Sequence, residues 1–526
     1  NWYKHTKANT IANSLIAPLF CMEIYCLDVI FLIFERANIA FQLTNPNVIP
    51  CFSWANGLLL IICHPMVHTI RTFVTMRKTF ALLFCLGLYS LGYAQQAFSI
   101  QSQWEVTDQG VTLINPWTGG MNSPQFSPID LNYDGKMDLI AFDRITDQML
   151  CFVQENNQWI YKPELSQNFP YLEDWVLARD FNQDGKADLF CSTSAGIKVY
   201  KNVGNSATGP AFEYYLDTTK LFSDYGNGTL INLYVSRVDI PAILDVDKDG
   251  DLDIITFALA GTTVEYHKNL SIETYGHSDS LIFRLETDCW GLFEEDFITN
   301  DISLEACPGR RAKPIQGRPK HSGSTVTVFD VDGNTLPDVL LGDVSFNTIV
   351  AAFNTGSISS ARMTSKDTLF PSDDTPVQMP IFPAAYQLDV DFDGVLDLVV
   401  TPSTSSGGLN QENIWWYKNT GSNASPNFQF QSKNFLMNQS LDFGDQAIPE
   451  LVDLNGDGLM DLVIGSYGIY DGAGNYQSAL WYLENTGNSA QPAFDIVNKD
   501  LGGFTGNEVL PAQHPCFGDM DNDGDL

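Results

Sequence analysis

The chain of 526 residues carries 63 acidic against 28 basic side chains, a formal charge of -35. A field of that sign repels nucleic-acid phosphates and anionic membrane surfaces and favours cations, which excludes nucleic acid as a partner. The length exceeds one ordinary domain and suffices for a large core, although repeat folds also run long.

Residues 1–75 open without a methionine, and their apolar segments are broken by Glu23, Asp28, Glu35 and Arg36. They read as translated upstream sequence outside the mature protein, with Met76 as the true start. A transmembrane segment around Ile11 to Phe34 is the alternative, made costly by its internal charges. Residues 76–94, MRKTFALLFCLGLYSLGYA, place Arg77 and Lys78 before an apolar run and end on Gly92-Tyr93-Ala94. This is the plan of a secretory signal peptide cleaved near Ala94, and the run from Phe80 to Leu91 falls short of the roughly 20 apolar residues a membrane span needs. The mature region, 95–526, is therefore expected to be secreted or displayed at the cell surface, without a membrane span of its own. Its cysteines are Cys151, Cys191, Cys289, Cys307 and Cys516. Cys151 and Cys191 sit in apolar runs and read as buried thiols, whereas Cys289 and Cys307 bracket one insertion and can pair in an oxidising compartment.

Beyond the leader, D-x-[DN]-x-[DN]-G-x-x-D followed by two apolar residues returns seven times. The copies start at Asp130, Asp180, Asp245, Asp330, Asp389, Asp453 and Asp519, separated by 50, 65, 85, 59, 64 and 66 residues. A short apolar run precedes each, and a β-type run such as Leu398-Val399-Val400 follows. An aromatic strand and turn come next, as in Trp415-Trp416-Tyr417-Lys418-Asn419-Thr420-Gly421, and then a Pro-x-Phe such as Pro426 to Phe428. Four short strands per unit of roughly 60 residues, without long helical periodicity, is the plan of a propeller blade. The expected fold is all-β, a β-propeller of seven four-stranded blades with Ca-binding hairpin loops. Residues 97–123, including Val111 to Ile114, are available to close the ring with the last blade, and an eighth blade beyond Leu526 is the alternative. The long gap after Asp245 holds an insertion, about Ile272 to Gly323, with a basic patch of Arg310, Arg311, Lys313, Arg318 and Lys320. Such insertions map to surface loops, where recognition usually sits.

Calcium takes several oxygen ligands at about 2.3 to 2.6 Å, and alternate residues of a tight loop can aim side chains at one centre. The predicted ligands are Asp130, Asn132, Asp134 and Asp138 in the first copy and Asp180, Asn182, Asp184 and Asp188 in the second. They are Asp245, Asp247, Asp249 and Asp253 in the third, and Asp330, Asp332, Asn334 and Asp338 in the fourth. The fifth offers Asp389, Asp391, Asp393 and Asp397, the sixth Asp453, Asn455, Asp457 and Asp461, and the seventh Asp519, Asp521 and Asp523. The glycine at position six permits the turn, and a backbone carbonyl near position seven adds a ligand. The fourth copy departs, with Gly333 at position four and Thr335 at position six, so its site is expected to be weaker.

Asp, Asn and Gly favour turns without any metal, which accounts for one such loop but not for seven. An EF-hand shares the opening of the motif but needs a bidentate glutamate at position twelve. That position holds Ala141, Cys191, Thr256, Leu341, Val400 and Ile464 in the complete copies. Clustered carboxylates repel one another without a cation, so several structural Ca2+ ions are predicted to support folding.

These loops resemble the FG-GAP, or VCBS, repeats related to the N-terminal propeller of integrin α-subunits, over about Pro124 to Leu526. Phrases such as FSPIDLNYDGKMDLIAFDR and VEYHKNLS are similar to those of large secreted Bacteroidetes proteins that end in a type IX secretion sorting domain. The resemblance implies that calcium is structural and that ligands bind loops on one face, but fold alone does not fix function. The first functional reading is a protein- or glycan-binding adhesion module. A propeller-scaffold lyase or hydrolase acting on polysaccharide is the second, and a structural spacer of a larger exported protein the third. The mature region contains His267, His277, His321 and His514 and no Gly-x-Ser-x-Gly, H-E-x-x-H or P-loop motif. His267 lies in the strand-like Val264 to Asn269 and reads as structural. Trp415 and Trp416 form a possible sugar-stacking pair, although adjacent strand aromatics more often split into one packed and one exposed.

Overall fold

The computed structural model describes residues 102–521 apart from 216–219, 227, 260, 297, 308–322, 407 and 505–510, and the backbone of 51–55 and 58–62. Contacts divide the chain into Asn1–Ser99 and Ile100–Leu526. In the first unit, Cys51–Ala55 pairs antiparallel with Leu58–Ile62. The expected leader at 76–94, the segment from Ile11 to Phe34 and the basic patch of the insertion lie outside the described residues. No described helix is long and apolar enough to cross a membrane.

The second unit is built from four-stranded antiparallel meanders. Sheet one consists of Pro124–Ile129, Asp138–Asp143, Gln148–Glu155 and Gln158–Tyr161. Sheet two is Val176–Arg179, Asp188–Thr193, Gly196–Asn202 and Phe212–Tyr214. Sheet three is Ala242–Leu244, Asp253–Phe257, Val264–Asn269 and Phe283–Thr287, widened by Phe222–Asp224 and Leu230–Asn232. Sheet four is Ser324–Phe329, Asp338–Asp343, Ile349–Asn354 and Met363–Phe370. Sheet five is Pro383–Leu388, Asp397–Pro402, Trp415–Asn419 and Phe428–Ser432. Sheet six is Ile448–Val452, Asp461–Gly465, Trp481–Asn485 and Phe494–Asn498. Every aspartate loop from the first to the sixth is the hairpin between the first two strands of its sheet.

The second strand of each sheet is a continuous apolar run because both its faces are covered, unlike a strand with one solvated face. In sheet four, Val339 and Leu341 pack toward sheet three, whereas Leu340 of the same strand packs toward sheet five. The core thus lies in layers between neighbouring sheets. Approach is closest at Gly342, where a Cβ would stand 1.8 Å from the Pro383 carbonyl oxygen, so only glycine fits.

Sheets one to five are tied in a cycle. Val176 N donates to Gln125 Oε1 (2.9 Å) and Ala178 N to Ser127 Oγ (3.0 Å), joining the first two sheets. Arg179 Nε reaches the Ile243 carbonyl (3.1 Å), and Ile240 N the Ser324 carbonyl (3.0 Å). Thr325 and Thr327 hydroxyls donate to the Pro383 and Ala385 carbonyls at 2.8 and 2.7 Å. Closure follows where Thr401 Oγ1 donates to the Pro124 carbonyl (2.7 Å) and Ser123 Oγ to the Pro402 carbonyl (2.8 Å). First-strand residues of all five sheets, among them Phe126, Leu177, Ile243, Val328 and Tyr386, line one shared cavity of about 520 Å³.

Six four-stranded sheets are present among the described residues, and the sixth does not line the cavity. Its first strand leaves Leu451 61% exposed, whereas the equivalent Ala178, Ile243 and Val328 of the ring sheets are buried and Pro128 and Gln387 half-buried. Residues 97–123 do contribute strands to the last sheet: Val106–Asp108 pairs parallel with Phe494–Asn498, and Val111–Thr112 pairs with Val106–Asp108. They extend the outer edge of sheet six, however, while the ring closes between sheets five and one.

Candidate metal centres

Each loop turns twice through left-handed backbone. Position four has φ of 58° at Tyr133, 57° at Gln183, 63° at Lys248 and 65° at Phe392, and position six has φ of 86° at Gly135 and 84° at Gly394. The fourth loop keeps this path although its residues are exchanged, with Gly333 at φ 80° and Thr335 at φ 73°. A β-branched residue there is strained.

The aspartate at position one staples the turn. Asp130 accepts Asp134 N at 3.2 Å on one oxygen and Gly135 N at 2.9 Å on the other. Asp180, Asp245, Asp330, Asp389 and Asp453 accept from the amides at positions five and six of their own loops in the same way. Position three, where it is asparagine, accepts the amide of position five, as with Asn132 (2.9 Å), Asn182 (3.4 Å) and Asn455 (3.0 Å). Position five accepts the amide of position seven, at 2.9 Å for Asp134, 3.0 Å for Asp184 and 2.8 Å for Asp457.

Position nine begins the second strand and is buried. Asp138 accepts Leu131 N and Gln154 N, both at 2.8 Å, so it clamps the loop to the third strand. Asp188, Asp253, Asp338, Asp397 and Asp461 repeat the clamp, their third-strand partners being the amides of Asn202, Asn269, Asn354, Asn419 and Asn485. Burial pushes the carboxyls of Asp138, Asp338 and Asp397 up to about 6, that of Asp188 to about 7 and that of Asp253 to about 8. The amide bonds oppose the shift without cancelling it.

Three acidic residues converge in the third, fourth and fifth loops. Single carboxylate oxygens of Asp245, Asp247 and Asp253 lie within 4.8 Å of one another, as do those of Asp330, Asp332 and Asp338, and of Asp389, Asp391 and Asp393. A further group joins Asp247 and Asp249 to Glu273. Asparagine at position three of loops one, two and six leaves no acidic triad there among the described residues. Asp519 and Asp521 of the seventh loop are described, and Asp523 is not. The donor set is wholly oxygen, as a hard cation requires. Asp247 Oδ1, Asp251 Oδ1 and Asp391 Oδ1 are buried without a hydrogen-bond donor among the described residues, a condition that a cation relieves.

Several partners escaped the sequence reading. Glu273 comes from the short helix Ser271–Tyr275, outside the loop spacing. Third-strand aromatics meet position nine: Tyr266 Oη donates to Asp253 Oδ2 (3.0 Å), Tyr482 Oη to Asp461 Oδ2 (3.1 Å) and Trp416 Nε1 to Asp397 Oδ2 (3.0 Å). The Lys-Asn-x-Gly turn was visible, but its reason was not. Asn419 Oδ1 accepts Gly421 N (3.0 Å) and Asn427 N (2.9 Å), while its Nδ2 donates to the Leu396 carbonyl at position eight (3.1 Å). Trp415 is buried, with Nε1 on the Glu412 carbonyl (2.9 Å), so the pair presents no two-ring stacking platform. His267 is fully buried between Ser223 Oγ (2.9 Å) and Glu265 Oε2 (3.2 Å), as a structural residue would be. Cys289 and Cys307 form a disulfide, and Cys151 and Cys191 are buried thiols.

A family model described as FG-GAP-like repeat matches residues 180–256 and 389–464. Each match runs from one aspartate loop through the next. No curated protein matches the chain. Among solved structures, an Agrocybe aegerita lectin that recognises non-reducing terminal N-acetylglucosamine is 16% identical, over 75% of this chain and 84% of that one, with a TM-score of 0.28. AofleA from Arthrobotrys oligospora is 12% identical over 61% of this chain and 76% of its own, with a TM-score of 0.30. The V. cholerae biofilm matrix protein Bap1 is 10% identical over 75% and 69%, with a TM-score of 0.20. The chain thus carries FG-GAP-like repeats at residues 180–256 and 389–464, within an all-β, β-propeller-like fold.

Proposed function

We propose that the chain is a secreted or cell-surface binding module for an extracellular protein or glycan, whose aspartate loops hold Ca2+ as a structural cofactor. The observation that carries the calcium reading is the convergence of three carboxylates in loops three, four and five, together with buried carboxylate oxygens that lack donors. Residues at positions one, three, five and nine would supply side-chain oxygens, and the carbonyl at position seven another. The ion supplies positive charge that offsets carboxylate repulsion at each hairpin.

Export rests on the leader-like segment 76–94 and fits the Cys289–Cys307 disulfide, a bond typical of oxidising compartments. Binding rests on the repeat architecture, a scaffold that presents loops rather than chemistry. The test is a glycan and extracellular-matrix array probed with the purified mature region in calcium and in excess chelator. Calcium-dependent retention on a defined ligand is the expected result. Turnover of a polysaccharide with no retained ligand would replace this reading with the enzymatic one.

A further inference from the structure

In sheets three, five and six the residue just before the third-strand clamp reaches the loop, and the residue type at that place differs between copies. Loop three meets Lys268, whose Nζ contacts Asp247, Asp249 Oδ2 at 3.1 Å and Glu273 Oε1 at 2.6 Å. Loop five meets Lys418, whose Nζ contacts Asp391 and Asp393 Oδ2 at 3.0 Å. These are the two complete loops with aspartate at positions one, three and five together. Loop two has a lysine at the same place, Lys201, but its position three is Asn182, and Lys201 pairs with no carboxylate among the described residues. Loop six has Glu484, which accepts from Asn455 Nδ2 (3.1 Å), and loops one and four have Val153 and Phe353.

We propose that Lys268 and Lys418 are built-in counter-cations that compete with the divalent ion for loops three and five, giving the chain two classes of cation site. This rests on the calcium reading above. A calcium ion bound by the third- and fifth-position carboxylates at about 2.3 to 2.6 Å claims the space that the ammonium holds, and two cations that close repel. Binding there requires the lysine to swing out. The two side chains keep exposures of 16% for Lys268 and 30% for Lys418, so neither ammonium is sealed from solvent. Loops with asparagine at position three have one fewer negative charge and no such competitor. The lysine therefore holds the most acidic hairpins together in the metal-free chain and weakens their affinity for the ion.

The experiment is calcium titration calorimetry, with parallel thermal melts, on the full mature region carrying Lys418→Met, Lys268→Met, Lys418→Arg or Lys201→Met. Each of the first two is expected to tighten one site by roughly three- to tenfold, the range set by one or two half-exposed ion pairs. Each should also lower the melting temperature in chelator while leaving it unchanged or raised in saturating calcium. Lys418→Arg keeps the charge and should leave the weak class in place, and Lys201→Met should change neither titration nor melt. Equal calcium affinities in wild type and Lys418→Met, or a loss of melting temperature of the same size with and without calcium, would overturn the proposal alone. A wild type that binds no calcium would remove it together with the reading on which it rests.

Discussion

Arg144, at the end of the second strand of sheet one, donates from Nη1 to both the carbonyl and the hydroxyl of Ser403, at 3.1 and 3.0 Å, although 259 residues separate them. The same guanidinium reaches the Val238 carbonyl at 3.1 Å and the Arg237 carbonyl at 2.5 Å. One buried side chain thus ties sheets one and five to the segment that leads into sheet three, and burial lowers its pKa. Replacing it strands three carbonyls in a water-poor site. Arg144→Met is predicted to cost about 3 kcal/mol or more, read as a lower denaturant midpoint at unchanged m-value.

The clamp at Asn419 offers a local counterpart. Its side chain satisfies two amides and one carbonyl in a buried turn. Asn419→Ala is predicted to destabilise by roughly 2 to 3 kcal/mol, because those groups lose partners without gaining water. Equilibrium denaturation in calcium checks it.

Thr335 should behave in the opposite sense. Its φ of 73° belongs to the left-handed region, which glycine occupies in the other complete loops. Thr335→Gly is predicted to stabilise by about 1 kcal/mol through relief of that strain. A thermal melt of the variant beside wild type decides the sign.

Stability in chelator should fall as pH rises. The position-nine carboxyls of loops one to five are raised by burial in the folded state, to values between about 6 and about 8. The folded chain therefore holds protons that the unfolded chain has released above the ordinary carboxylate range. Their contribution is fully present below about pH 4 and is lost progressively as pH climbs to about 8. Melts across that window in chelator should show the decline, and saturating calcium should flatten it.

The loops and their strands were legible in sequence because the signals are local. Alternate Asp or Asn residues, the glycine and the two apolar residues that follow all lie within a dozen positions, and the Lys-Asn-x-Gly turn marks the third strand. The number of sheets in the ring was not legible. Closure depends on Thr401 finding Pro124 and Arg144 finding Ser403, contacts across more than half of the described chain with no local signature. Seven spaced motifs say nothing of which sheets share the ring, and the sheet of the sixth motif does not line its cavity. Partners of the loops were hidden for the same reason. Glu273 comes from the insertion and Lys268 from the third strand, and each meets its aspartate loop only when the sheet folds.

The most direct test of the calcium reading is the melting temperature of residues 95–526 in saturating Ca2+ and in excess chelator. Each loop filled at a hundredfold excess over its Kd adds about 2.7 kcal/mol to the native state. A large fall in melting temperature on chelation, reversed by added calcium, is the predicted result. A melting temperature that chelator leaves unchanged would contradict it.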